Sequence, residues 1–203
     1  AAQAPTGYEE LVARRRAVIN VRQRADYVRE MWQLPPAYYD AVVDRLRGEG
    51  IEEVVLQADE PAFIPWLRRF VESAGLRVVD PVRLTGEPAR DDFWNLVAGA
   101  TLVLPNSTFS WWAGAVATAR DPDVRVLYPD PWLPNRWTAE ELPDMGLPGW
   151  TSVPSHLSPI DGRPVFRLRP PVGARASVSP SAGELPATPG PPDHASSPRT
   201  PNA

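Results

Sequence analysis

The stretch Thr101-Leu102-Val103-Leu104-Pro105-Asn106-Ser107-Thr108-Phe109-Ser110-Trp111-Trp112-Ala113-Gly114-Ala115-Val116-Ala117-Thr118-Ala119 reads as strand, turn and helix. Thr101–Leu104 is short, apolar and β-prone, as a strand buried on both faces requires. Pro105 stops it, and hydroxyl and amide side chains follow, residues that suit a helix N-cap. Phe109–Ala119 then reads as a helix, and Ala113, Gly114 and Ala115 are small enough to let it approach a sheet closely. The turn between strand and helix would offer free N–H groups and a partial positive charge to an anion. A capped helix carrying two core tryptophans would look the same in sequence.

Outward from this unit the alternation repeats. Upstream, Ala17–Arg22 reads as a buried strand and Pro35–Arg47 as a helix with proline in its first turn and Gly48 just beyond. Ile51–Gln57 is the next strand, Pro61–Ala74 a helix ended by Gly75, Leu76–Val79 a strand, and Asp91–Ala98 a helix opened by acids. Downstream, Val124–Tyr128 reads as a final strand. Short apolar strands alternating with helices imply right-handed βαβ units and a doubly wound parallel sheet, the α/β class. Ligands of such sheets sit outside the carboxyl ends of the strands, so chemistry is sought there.

Composition narrows that chemistry. Of 203 residues, 43% are hydrophobic and 23% charged, values of a chain able to bury a core. A net charge of −4 and a pI near 5.3 give no footprint for nucleic acid. All 21 basic residues are arginine, as a GC-rich genome would produce, and this removes every lysine mechanism. Cysteine is absent, and the two histidines, His156 and His194, lie in the last quarter of the chain. Carboxylates, arginines, hydroxyls, amides and backbone dipoles are left. The longest apolar run, Trp111 to Ala119, is about half of the ~20 residues that span a bilayer. The chain does not open with Met, so a processed, trimmed or fragmentary start is expected. Beyond Val153, proline, serine, alanine and glycine dominate, and residues 154–203 are expected to be a largely disordered tail with room for one short strand at Pro164–Leu168. The expected organisation is a lead-in over 1–16, an α/β domain over 17–153 and the tail.

Several strand ends carry chemistry. The first runs into Arg22-Gln23-Arg24-Ala25-Asp26-Tyr27. Two guanidiniums there suit a diphosphate, because Arg binds phosphate oxygens bidentately and keeps its charge. Asp26 would hold one of them or act as a base; a surface Arg/Asp cluster is the plainer alternative. The second ends in Gln57-Ala58-Asp59-Glu60, and the helix after the third opens with Arg90-Asp91-Asp92-Phe93. Acids there favour the helix dipole, or accept hydrogen bonds from a nucleobase edge. Asn106-Ser107-Thr108 also matches a glycosylation sequon, discounted at a buried turn. Aromatic residues in 129–137 would either line a sugar pocket or pack.

Taken in order, these pieces resemble the α-1,2-fucosyltransferases, glycosyltransferase family 11. The family's His-x-Arg-Arg-Gly-Asp-Tyr corresponds to Asn20 through Tyr27, and its Asn-Ser-Ser/Thr-Phe-Ser-Trp-Trp to Asn106 through Trp112. Its Ser-Asp-Asp strand end is similar to Gln57 through Glu60, its Lys/Arg-Asp-Phe helix start to Arg90 through Phe93, and its Pro-x-x-Trp element to Asp130 through Trp132. The resemblance covers residues 17–153. It implies the Rossmann-like C-terminal half of a GT-B type enzyme that transfers fucose from GDP-fucose to a galactoside hydroxyl, inverting and without metal or other cofactor. On that reading Arg22, Arg24 and Asp26 are the catalytic candidates. Asn20, Asp59, Asp92, Asn106, Ser107, Thr108 and Phe109 are those for substrate binding, with Asp92 and Asn20 at guanine and Ser107 and Thr108 at the diphosphate. The implied partners are GDP-fucose and a glycan acceptor, with neither nucleic acid nor a transmembrane segment. The implied setting is cytoplasmic, with peripheral membrane association left open. Asn20 stands in place of the family's histidine, Gln23 splits the arginine pair, and Ala25 replaces a glycine. Only about 16 residues precede the first strand, where family members carry roughly a hundred more. A domain that binds the nucleotide sugar without turnover is the alternative.

Overall fold

The structure, a computed structural model, describes residues 3–30, 32–133 and 145–155, all within one unit spanning Ala1–Gly173. Its strands are β1 (Ala17–Val21), β2 (Glu53–Ala58), β3 (Arg77–Val79), β4 (Thr101–Val103), β5 (Arg125–Asp130) and β6 (Thr151–Pro154). Its helices are α1 (Tyr8–Ala13), α2 (Ala25–Arg29), α3 (Pro36–Gly48), α4 (Ile64–Ser73), α5 (Pro88–Val97) and α6 (Thr108–Arg120). A 3-10 turn, Pro61–Phe63, leads into α4.

The strands form one sheet in the order β3-β2-β1-β4-β5-β6, and every pair is parallel. This is the doubly wound order of Rossmann-like folds, with its switch point between β1 and β4. The chain grows outward from β1 through β2 to β3, then returns to place β4 on the other side of β1. Alternation along β1 serves both faces. Ala17, Ile19 and Val21 pack with Tyr38, Val42 and Leu46 of α3 and Leu67 and Val71 of α4. Val18 packs on the other side, with Trp94 of α5, Ala113 and Ala117 of α6, and Tyr8 and Leu11 of α1. Burial on both faces is why these strands read as largely apolar runs and not as alternating ones. Tyr38, fully buried, donates its hydroxyl to the Leu104 carbonyl at 2.6 Å and ties α3 to the end of β4.

Three elements lie outside the sequence expectation. The helices α1 and α2 are six and five residues long and carry no side-chain cap, so neither has a periodicity to read. Val124–Tyr128 is not the final strand: β6 follows, four residues with only Val153 buried, and it is held by pairing with β5. Ser155, assigned to the tail on composition, is fully buried; its N–H donates to the Asp130 carbonyl at 2.9 Å and its hydroxyl to that of Pro131 at 2.5 Å. The remainder of the tail, and the strand expected at Pro164–Leu168, fall outside the described residues. Among those described, no helix is long and apolar enough to cross a membrane.

Close approach of α6 to the sheet depends on Gly114. A Cβ there would stand 2.9 Å from Trp150 Cη2 and 3.2 Å from Leu104 Cδ1. Trp150 is itself pinned, its indole N–H donating to Thr118 Oγ1 at 2.9 Å. A branched side chain has nowhere to go. Gly114→Val is expected to destabilise the fold by about 1–3 kcal/mol through overpacking. Urea denaturation measures this, and an unchanged midpoint would show that the helix can move away.

Candidate functional site

A cleft of about 590 Å³ opens at the carboxyl ends of β1, β2, β3 and β4. That is the position the parallel topology reserves for ligands. Its walls come from both sides of the switch point: Asn20 on β1 with Arg22 and Arg24 just beyond it, Gln57 on β2 with Asp59 just beyond it, and Ser107 and Phe109 at the turn into α6.

The end of β1 is organised by the end of β2. Asp59 Oδ1 accepts the Gln23 N–H at 2.7 Å, while Oδ2 lies 3.1 Å from Arg22 Nε. Arg22 also lies over the Tyr27 ring at 4.9 Å, and the Tyr27 hydroxyl donates to the Asn106 carbonyl at 2.8 Å. One guanidinium is therefore held on two sides, by charge and by an aromatic face. The residue expected to hold an arginine was Asp26; the structure gives that role to Asp59. Asp26 is exposed on α2, outside the cleft wall.

Gln23, which splits the arginine pair, turns inward. It is 3% exposed, and its side-chain carbonyl accepts a hydrogen bond from the Gln33 amide. In an extended segment alternate side chains share a face, so an inward Gln23 leaves both Arg22 and Arg24 on the cleft. Arg24 has no ion pair among the described residues. After β1 the cleft thus holds one tethered guanidinium and one without an ion pair, and Arg68 and Arg83, each beside an acid, line it further along.

Across the switch point, Asn20 Nδ2 donates to Ser110 Oγ at 2.6 Å and couples β1 to α6. Ser107 occupies the N-cap position of α6, yet its hydroxyl caps nothing, and no other side chain does. The first N–H groups of α6 thus remain available beside Ser107 and Phe109 on the cleft wall. Asn106 and Thr108 stand elsewhere. Asn106 is buried, donating from Nδ2 to the Trp32 carbonyl at 2.8 Å, and Thr108 is exposed outside the wall. The two tryptophans differ: Trp111 donates to the Met145 carbonyl at 2.7 Å, whereas Trp112 is 61% exposed and is not a core residue. Of the aromatic residues in 129–137, Trp132 packs in the core and Trp137 lies outside the described residues.

The far end of the cleft resolves the paired aspartates. Asp92 faces it, while Asp91 is fully buried against the β3–α5 connection. Gln57 Nε2 donates to the Asp92 carbonyl at 3.1 Å, and Arg83 Nη1 lies 3.6 Å from Asp92 Oδ1. Sequence reading missed Asp80 and Arg83, which follow β3, and Arg68 on α4, whose Nη2 donates to Asp80 Oδ1 at 2.8 Å. The strand-end rule reaches the first two, since Asp80 directly follows Leu76–Val79; nothing local marks Arg68. Among the described residues no group of three or more His, Cys, Asp or Glu is arranged to hold a metal.

The two aspartates titrate in opposite senses. Burial pushes the Asp92 carboxyl up; Arg83 pulls it back and Asp91 adds to the rise. Burial also opposes ionisation of Asp91, but hydrogen bonds from Thr85 and Leu84 outweigh it and hold that carboxyl below the ordinary carboxylate value. Asp91 therefore contributes stability that is present above the ordinary carboxylate value and lost as pH falls below it. Asp92 does the reverse, its contribution being present at low pH and lost as pH rises.

No family model matches the sequence, and no curated protein does. Among solved structures, a crystal structure of POFUT1 in complex with GDP is similar at 11% identity and a TM-score of 0.40, over 52% of this chain and 41% of that one. A second, of POFUT1 in complex with GDP-fucose, is similar at 9% identity and a TM-score of 0.36, over 48% of this chain and 38% of that one. The chain therefore spans about two fifths of the length of these structures. At such values the likeness carries no argument; the fold rests on the sheet order and the site on its own geometry.

A ligand that donates hydrogen bonds to Asp92 competes with its proton. Affinity for such a ligand is expected to rise as pH rises through the elevated Asp92 value, and Asp92→Asn is expected to flatten that dependence. Calorimetric titrations with GDP from about pH 4 to about pH 7 measure it; an equal slope in the variant would place the titrating group elsewhere.

Proposed function

We propose that the cleft binds the diphosphate of a nucleotide sugar, and that the chain is the donor-binding part of a fucosyltransferase-like glycosyltransferase using GDP-fucose. The observation that carries this reading is the Arg22 guanidinium, tethered by Asp59 beside the switch point, with the uncapped N-terminus of α6 on the same cleft. A fixed cation and a set of free N–H groups converging on one cleft form a site for a dianionic group. Fucose as the sugar, α-1,2 linkage to a galactoside, and independence of metal rest on the sequence resemblance, above all on Asn106 through Trp112.

In such a transfer, negative charge grows on the leaving phosphate as the sugar–phosphate bond breaks. Arg22, already oriented, would neutralise that charge without reorganising, and Arg24 would add a second cation. Ser107 and the α6 N–H groups would hold the diphosphate, and Asp92 with Gln57 would meet the nucleoside. One observation favours a second reading, binding without turnover. Of the acids on the cleft wall, Asp59 and Asp80 are paired with Arg22 and Arg68, and Asp92 stands at the far end near Arg83, so none is free as a base for the acceptor hydroxyl.

Calorimetry with GDP and GDP-fucose, in EDTA, tests the donor site. Binding is expected in the wild-type chain, weakened about tenfold or more in Arg22→Ala, since a charge-assisted hydrogen bond contributes about 1.5–3 kcal/mol. Arg24→Ala, which breaks no ion pair among the described residues, gives the same readout without disturbing Asp59. No heat from a chain shown to be folded by circular dichroism would sink the proposal. Turnover is read separately, as GDP released with a galactoside acceptor, and separates the two readings.

A further inference from the structure

Asp91 is the one fully buried acid among the described residues, and it does not line the cleft. Its Oδ1 accepts three hydrogen bonds from the β3–α5 connection, from Leu84 N at 3.0 Å, Thr85 N at 2.6 Å and Thr85 Oγ1 at 2.8 Å. One helical turn on, Asn95 is 2% exposed and grips the same connection. Its Oδ1 accepts Val82 N at 2.9 Å, and its Nδ2 donates to the Val82 carbonyl at 2.8 Å and to the Asp91 carbonyl at 2.7 Å. The N–H groups of Val82, Leu84 and Thr85 are thus satisfied by side chains of α5 rather than by a strand ladder. Between and beside these clamped residues, the connection presents Asp80, Pro81 and Arg83 to the cleft, where Arg83 meets Asp92.

We infer that Asp91 and Asn95 are positioning residues that hold the β3–α5 wall against which the nucleoside end of the donor rests, and so set affinity for the nucleoside and not for the diphosphate. The inference rests on the donor-site reading above. The physical reason is entropic. Without the clamp the connection must be ordered by the ligand, which lowers affinity for any ligand that touches it and leaves untouched one held at Arg22 and α6. The Asp91 bonds are charge-assisted, so the ionised carboxylate holds better than a neutral amide of the same size.

The full chain and its Asp91→Ala, Asp91→Asn and Asn95→Ala variants, checked for folding by circular dichroism and thermal melting, are titrated with GDP and with inorganic pyrophosphate. In Asp91→Ala the GDP dissociation constant is expected to rise tenfold or more while that of pyrophosphate stays within twofold. Asp91→Asn is expected to recover part of the loss, and Asn95→Ala, which leaves the carboxylate in place, to show the same split between ligands. Equal weakening of both ligands would make the role merely structural and overturn the inference. So would unchanged GDP binding in folded variants. A wild-type chain that binds neither ligand overturns the donor reading, and this inference with it; a wild-type chain that binds both, beside indifferent variants, overturns the inference alone.

Discussion

Parallel pairing along β1 is the constraint on which the rest of this molecule depends. β1 is flanked by β2 and β4 and covered on both faces, so its first three side chains are apolar and a polar one enters only near its carboxyl end. Asn20 sits where coverage ends, and Arg22 and Arg24 follow. The parallel direction brings the ends of β2 and β4 to the same level, so Asp59 and Ser107 arrive beside Arg22 although they are far from it in sequence. Antiparallel pairing would have sent alternate ends to opposite edges and dispersed these groups.

Charge in the cleft is arranged unevenly. Arg22 is neutralised in part by Asp59 and Arg68 in part by Asp80, whereas Arg24 has no such partner among the described residues. Pairing fixes a guanidinium in place but weakens its field, so the tethered arginine supplies orientation and the free one supplies net charge. The opposite shifts of Asp91 and Asp92, adjacent on α5, follow from the same local principle. Asp91 is buried with donors aimed at it, and Asp92 is half-buried with a single cation at 3.6 Å. Adjacent helical residues face different directions, so one acid serves the wall and the other the cleft.

Much of the fold was legible in the chain. Strands buried on both faces are apolar through their middles, and the helices α3, α4 and α5 are bounded by Pro and Gly, which act through their own backbone geometry. What escaped reading was short. The pairs of turns in α1 and α2 and the four residues of β6 have too few positions to show a period, and they persist through contacts: Tyr8 and Leu11 in the core, Tyr27 against Asn106, and β6 against β5.

The site divides along the same line. Residue types and their order determined that Arg22, Arg24 and Asp59 follow strand ends, that Ser107 and Phe109 stand at the turn into α6, and that Asp92 lies on the helix after β3, since element type and the carboxyl-end rule depend on local pattern alone. Which of two adjacent acids is buried, which carboxylate holds Arg22, and whether a split arginine pair keeps both members on the cleft were decided by tertiary structure. Those outcomes depend on which groups arrive from elsewhere: Leu84 and Thr85 at Asp91, Asp59 rather than Asp26 at Arg22, and Gln33 drawing Gln23 inward. A single chain read in order carries the identity of each group but not its neighbours, and hydrogen bonds and ion pairs are properties of neighbours.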